Sequence, residues 1–278
     1  MLGLALIALV ALPGCAYVAK QAQGQLRLLA GRIPLEKALA EVQLDDAERA
    51  ALESVPPIKA FGEALGLSPT KNYTTINPDF DDVVWNVSAC APHRFESHVY
   101  RYPVVGALPY IGFFDKTDAL AEQERLRGLG WETFVRPAGA YSTLGWFRDP
   151  LWRSMLRWDA EQLANTVLHE LAHATLWLKG EGSFNESYAS FVGDEAAARW
   201  LQAQADPGLW TRHVDREEDG ALYRNFMHAL VLRLEGLYGA GLGRDATLRR
   251  RDRVFEEARA EYATLPFKND GYAHALDP

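Results

Sequence analysis

Apolar residues recur at three- and four-residue spacing across residues 17–29 and again across 35–52, which predicts a helix in each stretch. Pro34 stands just before the second, and Pro56-Pro57 is expected to end it. Residues 61–67 predict a short helix stopped by Ser68-Pro69. From Asn72 the period changes. Residues 82–89 (DVVWNVSA) and 98–105 (HVYRYPVV) are rich in β-branched and aromatic side chains, are bounded by Pro, Gly and Asp, and predict strands. Residues 108–114 (LPYIGFF) read as an apolar turn, 116–129 as a helix closed by Gly130, 131–136 as a strand and 137–145 as a loop. Helical segments follow at 160–179, 186–205, 209–238 (with a break near Gly220) and 245–265, before an irregular tail. No internal repeat is present. The order predicts an α+β protein: a helical part over 17–67, a small antiparallel sheet within 72–136, and a second helical part over 150–265.

Composition narrows the class. With 278 residues, 48% hydrophobic and 24% charged, the chain is neither disordered nor a polytopic membrane protein. A net charge of −8 is a poor match for a phosphate backbone and sets nucleic acid aside. Two cysteines, Cys15 and Cys90, make no disulfide framework, and Cys90 is expected to be a small buried hydrophobe.

The apolar run over residues 2–13 carries no charge, is too short to span a bilayer, and fits the core of a signal peptide. It ends in Leu12-Pro13-Gly14-Cys15, which resembles a bacterial lipobox. That resemblance implies a signal peptide over 1–14, cleavage before Cys15 and lipidation of its sulfur. Several acyl chains give stable anchoring at about 0.8 kcal/mol per buried methylene. Ala16, where an Asp would hold such a lipoprotein back, implies sorting to an outer membrane facing the periplasm.

The chemistry lies in His169-Glu170-Leu171-Ala172-His173. On a helix the two histidines fall on one face, one turn apart, so both imidazoles can reach one tetrahedral zinc, Zn2+, at about 2.0–2.1 Å. Glu170 lies about 100° round the helix, where its carboxylate can act as general base towards water. Random placement gives this motif about 0.01 times in such a chain. Its surroundings are helical: Asp159 and Gln162 suit a capping box, and Leu163, Val167, Leu171, Ala174 and Leu178 supply apolar neighbours before Gly180. Zinc needs a third ligand and one open place. Glu186, thirteen residues after His173, is expected to supply it from the first turn of the next helix, capped by Asn185 or Ser183. The bland reading is a first-turn acid that favours the helix dipole. Glu181 is the rival ligand. A third histidine is unsupported, because positions 176 and 179 are Leu and Lys.

Taken with the lipobox, the blocks RYPVVG (101–106), PYIGFFD (109–115), AYSTLGWF (140–147), Asp149-Pro150, HELAH and Phe184-Asn185-Glu186 resemble the bacterial family of predicted aminopeptidase lipoproteins. The resemblance spans nearly the whole mature chain. It implies a zincin-like metallopeptidase with one zinc per chain, acting on peptides from a lipid-anchored position. Asn185-Glu186-x-x-Ala189 also resembles the third-ligand helix of gluzincins, although the gap from His173 is shorter here. The loop 141–147 is the candidate cleft wall. Tyr141, with Tyr188 as alternate, could stabilise an oxyanion, or the loop could simply pack. Strand 131–136 could bind an extended peptide along its edge. His228, Asp194 and Glu195 are candidate supporting groups; each could equally be an ordinary helix residue. Glu96, Asp115 and Glu181 are nominal partners for a substrate amine. The competing function is a non-catalytic envelope lipoprotein, a chaperone or assembly factor with a structural zinc.

Overall fold

The computed structural model describes residues 13–79, 84–102, 106–137 and 149–276. The first elements are α1 (Pro13–Ala30), β1 (Ile33–Pro34), α2 (Leu35–Glu41), α3 (Asp46–Ala64) and β2 (Thr75–Asn77). Then come β3 (Trp85–Cys90), β4 (Tyr100–Tyr102), β5 (Gly106–Leu108), β6 (Tyr110–Phe113), α4 (Lys116–Gly128) and β7 (Glu132–Pro137). After β8 (Leu151–Trp152) and a 3-10 turn (Arg153–Arg157) the chain is helical: α5 (Ala160–Thr175), α6 (Gly182–Ala203), α7 (Pro207–Tyr238), α8 (Arg244–Tyr262) and α9 (Asp270–Ala273). The α+β class holds, with helices dominant. Among the described residues no helix is long and apolar enough to cross a membrane.

Two compact units form, each drawn from three stretches of chain. The first comprises Met1–Trp85, Phe113–Lys116 and Pro137–Ala205. Its core is built where Leu52, Val55 and Ile58 of α3 and Leu163, Val167, Leu168 and Leu171 of α5 are buried with Ala196 and Ala197 of α6. Each fully buried leucine contributes about 1.5–3 kcal/mol. Gly62 lets α3 come close to α5: a Cβ there would stand 2.7 Å from Leu168 Cδ2 and 2.9 Å from Leu171 Cδ2. A three-stranded sheet in the order β1-β2-β8 completes this unit, antiparallel between β1 and β2 and parallel between β2 and β8. These two- and three-residue strands carry too little alternation to be read from sequence.

The second unit comprises Asn86–Gly112, Thr117–Arg136 and Asp206–Pro278. A sheet in the order β6-β3-β7 lies almost wholly within it, beside the antiparallel ladder β4-β5. Phe226, Leu230 and Leu234 of α7 are buried with Ala258 and Tyr262 of α8. Buried Asp219 accepts from the backbone N–H groups of Lys268 and Asn269 and fixes the tail, which forms α9.

Several expectations are corrected. Pro56 and Pro57 lie inside α3 rather than at its end. The two prolines forfeit backbone donors, but the buried face runs on through Val55, Ile58, Lys59 and Gly62, and that packing carries the helix past them. Within residues 108–114, read as a turn, residues 110–113 form the strand β6, which pairs with β3. The helix α7 is unbroken at Gly220. The helix α5 ends at Thr175 instead of residue 179. There the Thr175 hydroxyl donates to Leu171 O and accepts from Ser68 N, so its last turn is tied to the 66–73 loop. Cys90 is exposed rather than buried.

Glu48 closes a capping box with Asp45 and accepts two hydrogen bonds from Arg153, at 3.0 and 2.9 Å, which hold the 3-10 turn against α3. Those bonds keep its carboxyl below the ordinary 4.5, so its stabilisation is complete above that value and is lost as pH falls through the lower folded value. Glu48→Gln is expected to lower the unfolding free energy by about 2 kcal/mol near pH 7. In urea titrations the gap from wild type should shrink progressively below about pH 4.

Candidate metal centre

The helix α5 starts at Asp159, whose carboxylate accepts from Gln162 N at 2.8 Å. Its packing on α3 leaves His169 and His173 half-buried along one side, with ring centroids 4.6 Å apart and planes at 87°. Nδ1 of His173 is buried and has no hydrogen-bond partner among the described residues. The ring makes edge contacts with His169 and with Trp177, whose centroid is 5.3 Å from that of His173.

The chain reverses over residues 176–181 and returns as α6. Asn185, fully buried, sets this return. Its side-chain oxygen accepts from Leu178 N at 2.9 Å and its amide donates to Leu178 O at 2.8 Å. Asn185 lies inside the helix, which begins at Gly182, so neither Asn185 nor Ser183 is the N-cap. Further along, Gly193 passes close to α5. A Cβ there would lie 3.1 Å from His169 Cβ and 3.2 Å from Asn165 O.

These two constraints bring Glu186 to the histidines. Nε2 of His169 is 3.6 Å from Glu186 Oε2, and Nε2 of His173 is 3.6 Å from Glu186 Oε1. One ligand atom from each of the three lies within 4.8 Å of the others. Donors at about 2.0–2.1 Å in a tetrahedron are separated by about 3.3 Å, so the donor set and its spacing fit a small divalent cation. Burial first, then the neighbouring His173, lowers the pKa of His169, with Glu186 and Asp194 opposing. The neutral imidazole, which is the ligating form, is thereby favoured.

The flanking residues sort themselves around this cluster. Glu170 is buried, 6% exposed, next to His169. Asp194 accepts from Asn165 Nδ2 at 2.5 Å and acts on His169 through its charge, whereas Glu195 pairs with Arg199 on the open face of α6. Glu181, the rival ligand, is an exposed residue preceding α6 and stays outside the cluster. Tyr188 stacks on Phe184, on the far side of α6 from Glu186. Tyr141 lies outside the described residues. His228 belongs to the second unit, as does Glu96, which pairs with Arg94. Asp115 lies in the first unit, just ahead of α4.

Tyr73 escaped the sequence reading. It adopts φ 57°, a left-handed conformation costly for a bulky side chain, while its ring is 2% exposed. Its N–H donates to Asp149 O at 2.8 Å, and buried Lys59 donates to Thr70 O at 2.8 Å and to Asn72 O. Burial first, then the charges of Glu170 and Asp149, pushes its phenol well above the ordinary value of 10.0. No local pattern announces a strained turn without glycine.

Residues 16–276 match the model of a family described as "Putative aminopeptidase". No curated protein and no solved structure matches the chain.

Removing the Asn185 clamp should loosen the return of α6. Asn185→Ala is expected to cost about 2–3 kcal/mol in thermal unfolding, for two lost buried hydrogen bonds and the unpaired Leu178 groups.

Proposed function

The chain belongs to this putative aminopeptidase family, and from that premise we propose that it is a zinc-dependent peptidase of the bacterial cell envelope. The observation that carries the reading is the convergence of two imidazole Nε2 atoms and one carboxylate, with a buried second carboxylate one residue from His169. In this reading His169, His173 and Glu186 hold one zinc. When bound there, zinc supplies a Lewis acid that lowers the pKa of water towards about 7 and polarises a carbonyl.

The remaining steps fall to the protein. Glu170 accepts the proton of the attacking water and delivers it to the leaving amine nitrogen, so that one carboxyl serves as base and then as acid. Its position supports this role, since it is buried one residue from His169 on the same helix. His169 is kept neutral by its surroundings, so it can bind without first losing a proton. Trp177 and Leu178, 42% and 41% exposed just past the end of α5, offer apolar surface beside the cluster for a substrate side chain. The family's description supports a peptide as the substrate class, and in this proposal hydrolysis falls at a free amino end.

Anchoring completes the proposal. The cysteine of the lipobox, Cys15, is the lipid attachment point, and it would hold the enzyme at an outer membrane facing the periplasm.

Three measurements test it. Metal analysis of reconstituted protein is expected to return about one zinc per chain, and none in His173→Ala or Glu186→Ala. Glu170→Gln should keep its zinc while hydrolysis of a peptide library falls by about 10²–10⁴. Undiminished hydrolysis in that variant would remove Glu170 from the chemistry, and intact metal with no hydrolysis by wild type would leave a structural site. Cys15→Ser should move the protein from the membrane fraction to the soluble periplasmic fraction.

A further inference from the structure

The sheet of the second unit has one buried face and one that is partly open, with Arg251 of α8 reaching Glu132 at one end of the latter. Val87 and Ala89 of the central strand β3 are buried, so the alternate residues Asn86 and Ser88 line the opposite side. On that side β6 presents Tyr110, 43% exposed, and β7 presents Phe134, 62% exposed. Strands about 4.8 Å apart set these outer two about 10 Å apart, which makes a trough as wide as one extended chain. The trough is a cavity of about 310 Å³ whose lining includes Asn86, Ser88, Ser97, Tyr110, Phe134 and Arg136.

The charges along β7 are satisfied except at one end. Glu132 holds Arg251 at 2.7 Å, and Thr133 accepts from Arg127 at 3.0 Å. Arg136 has no ion pair or hydrogen bond among the described residues, and it is one of the residues that line the cavity. In a chain of net charge −8 no general attraction draws anions here, so recognition rests on this single fork of donors. Such a fork matches a carboxylate through two parallel hydrogen bonds. Exposed aromatic rings flanking an arginine are the usual anchors of a peptide contact. Moreover, β7 ends the order β6-β3-β7, so its outer backbone groups have no partner strand among the described residues.

We infer that this trough is a binding site for the carboxyl-terminal end of a peptide, with the terminal carboxylate on Arg136 and an apolar last side chain between Tyr110 and Phe134. The small polar side chains of Asn86 and Ser88 face the peptide's main-chain amides. A single guanidinium suits a carboxylate better than a phosphate, which calls for more positive charge. The inference does not depend on the metal centre.

The test uses the mature chain carrying Glu170→Gln, so that the probe is not consumed. The probe is the tetrapeptide Ala-Ala-Phe-Leu, as the free acid and as the carboxyl-terminal amide, titrated calorimetrically. The acid should bind at least tenfold more tightly than the amide. Arg136→Met should abolish that preference and Arg136→Lys should retain a weaker one, because a point charge replaces the fork. Phe134→Ala should weaken both probes by about fivefold or more. Adding Glu186→Ala should leave the preference intact. Equal binding of acid and amide would overturn the inference, and so would a preference that survives Arg136→Met. A preference lost with Glu186→Ala would mean that the carboxylate binds at the metal centre instead. Displacement of the peptide by an oligogalacturonate at equal concentration would make the site one for acidic sugars and overturn it as well.

Discussion

Asn185 pairs its side-chain amide with both backbone groups of Leu178, and the geometry of the His169–His173–Glu186 cluster descends from that pairing. The reversal between α5 and α6 has to satisfy the backbone groups left open at a helix end and a helix start. One amide answers part of both needs from within α6, and it fixes the rotation of α6 about its axis. With Asn185 turned inwards, the next residue is about 100° further round, on the side of the histidines. Gly193, two turns on, keeps the helices close enough for the Glu186 carboxylate to stand 3.6 Å from both imidazoles. The short gap between His173 and Glu186 is therefore bridged by a clamp within the turn.

Around α5 the core includes several buried polar groups. Lys59, Asn72, Asp149 and Glu170 are all under 9% exposed, and Tyr73 is strained among them. Burying such groups without partners would cost several kcal/mol each. Lys59 is offset by the carbonyls of Thr70 and Asn72, and Asn72 accepts from Asp149 N at 3.2 Å. The 70–73 turn is thus held from α3 and from the residue that leads into β8. Its strain is borne by this network, a pattern often found beside reactive centres. Burial raises the phenol pKa of Tyr73 in this turn, and the residue is close enough to Glu170 for the carboxylate's charge to raise it further.

The second unit solves a different problem. Its long helix α7 has little amphipathic contrast to direct its packing, and the tail supplies what is missing. Asp219 gathers the N–H groups of Lys268 and Asn269, and Phe267 and Tyr272 stack nearby with parallel rings 6.0 Å apart.

What could be read without coordinates was whatever repeats locally or is chemically singular. Helical periodicity located α5 to α8 within a few residues, and HELAH announced two imidazoles on one face because spacing along a helix is fixed by the backbone. Glu186 was reachable by the same reasoning, as a carboxylate in the turn that faces back. The rest belonged to tertiary structure. The persistence of α3 through Pro56-Pro57 depends on a buried face shared with α5, and the strands β1, β2 and β8 are too short to show a period. The roles of Asn185 and Gly193 and the strained turn at Tyr73 depend on what stands opposite them across the chain. A linear pattern records which side a residue takes relative to its neighbours; distances between remote segments are set only when packing decides which faces meet.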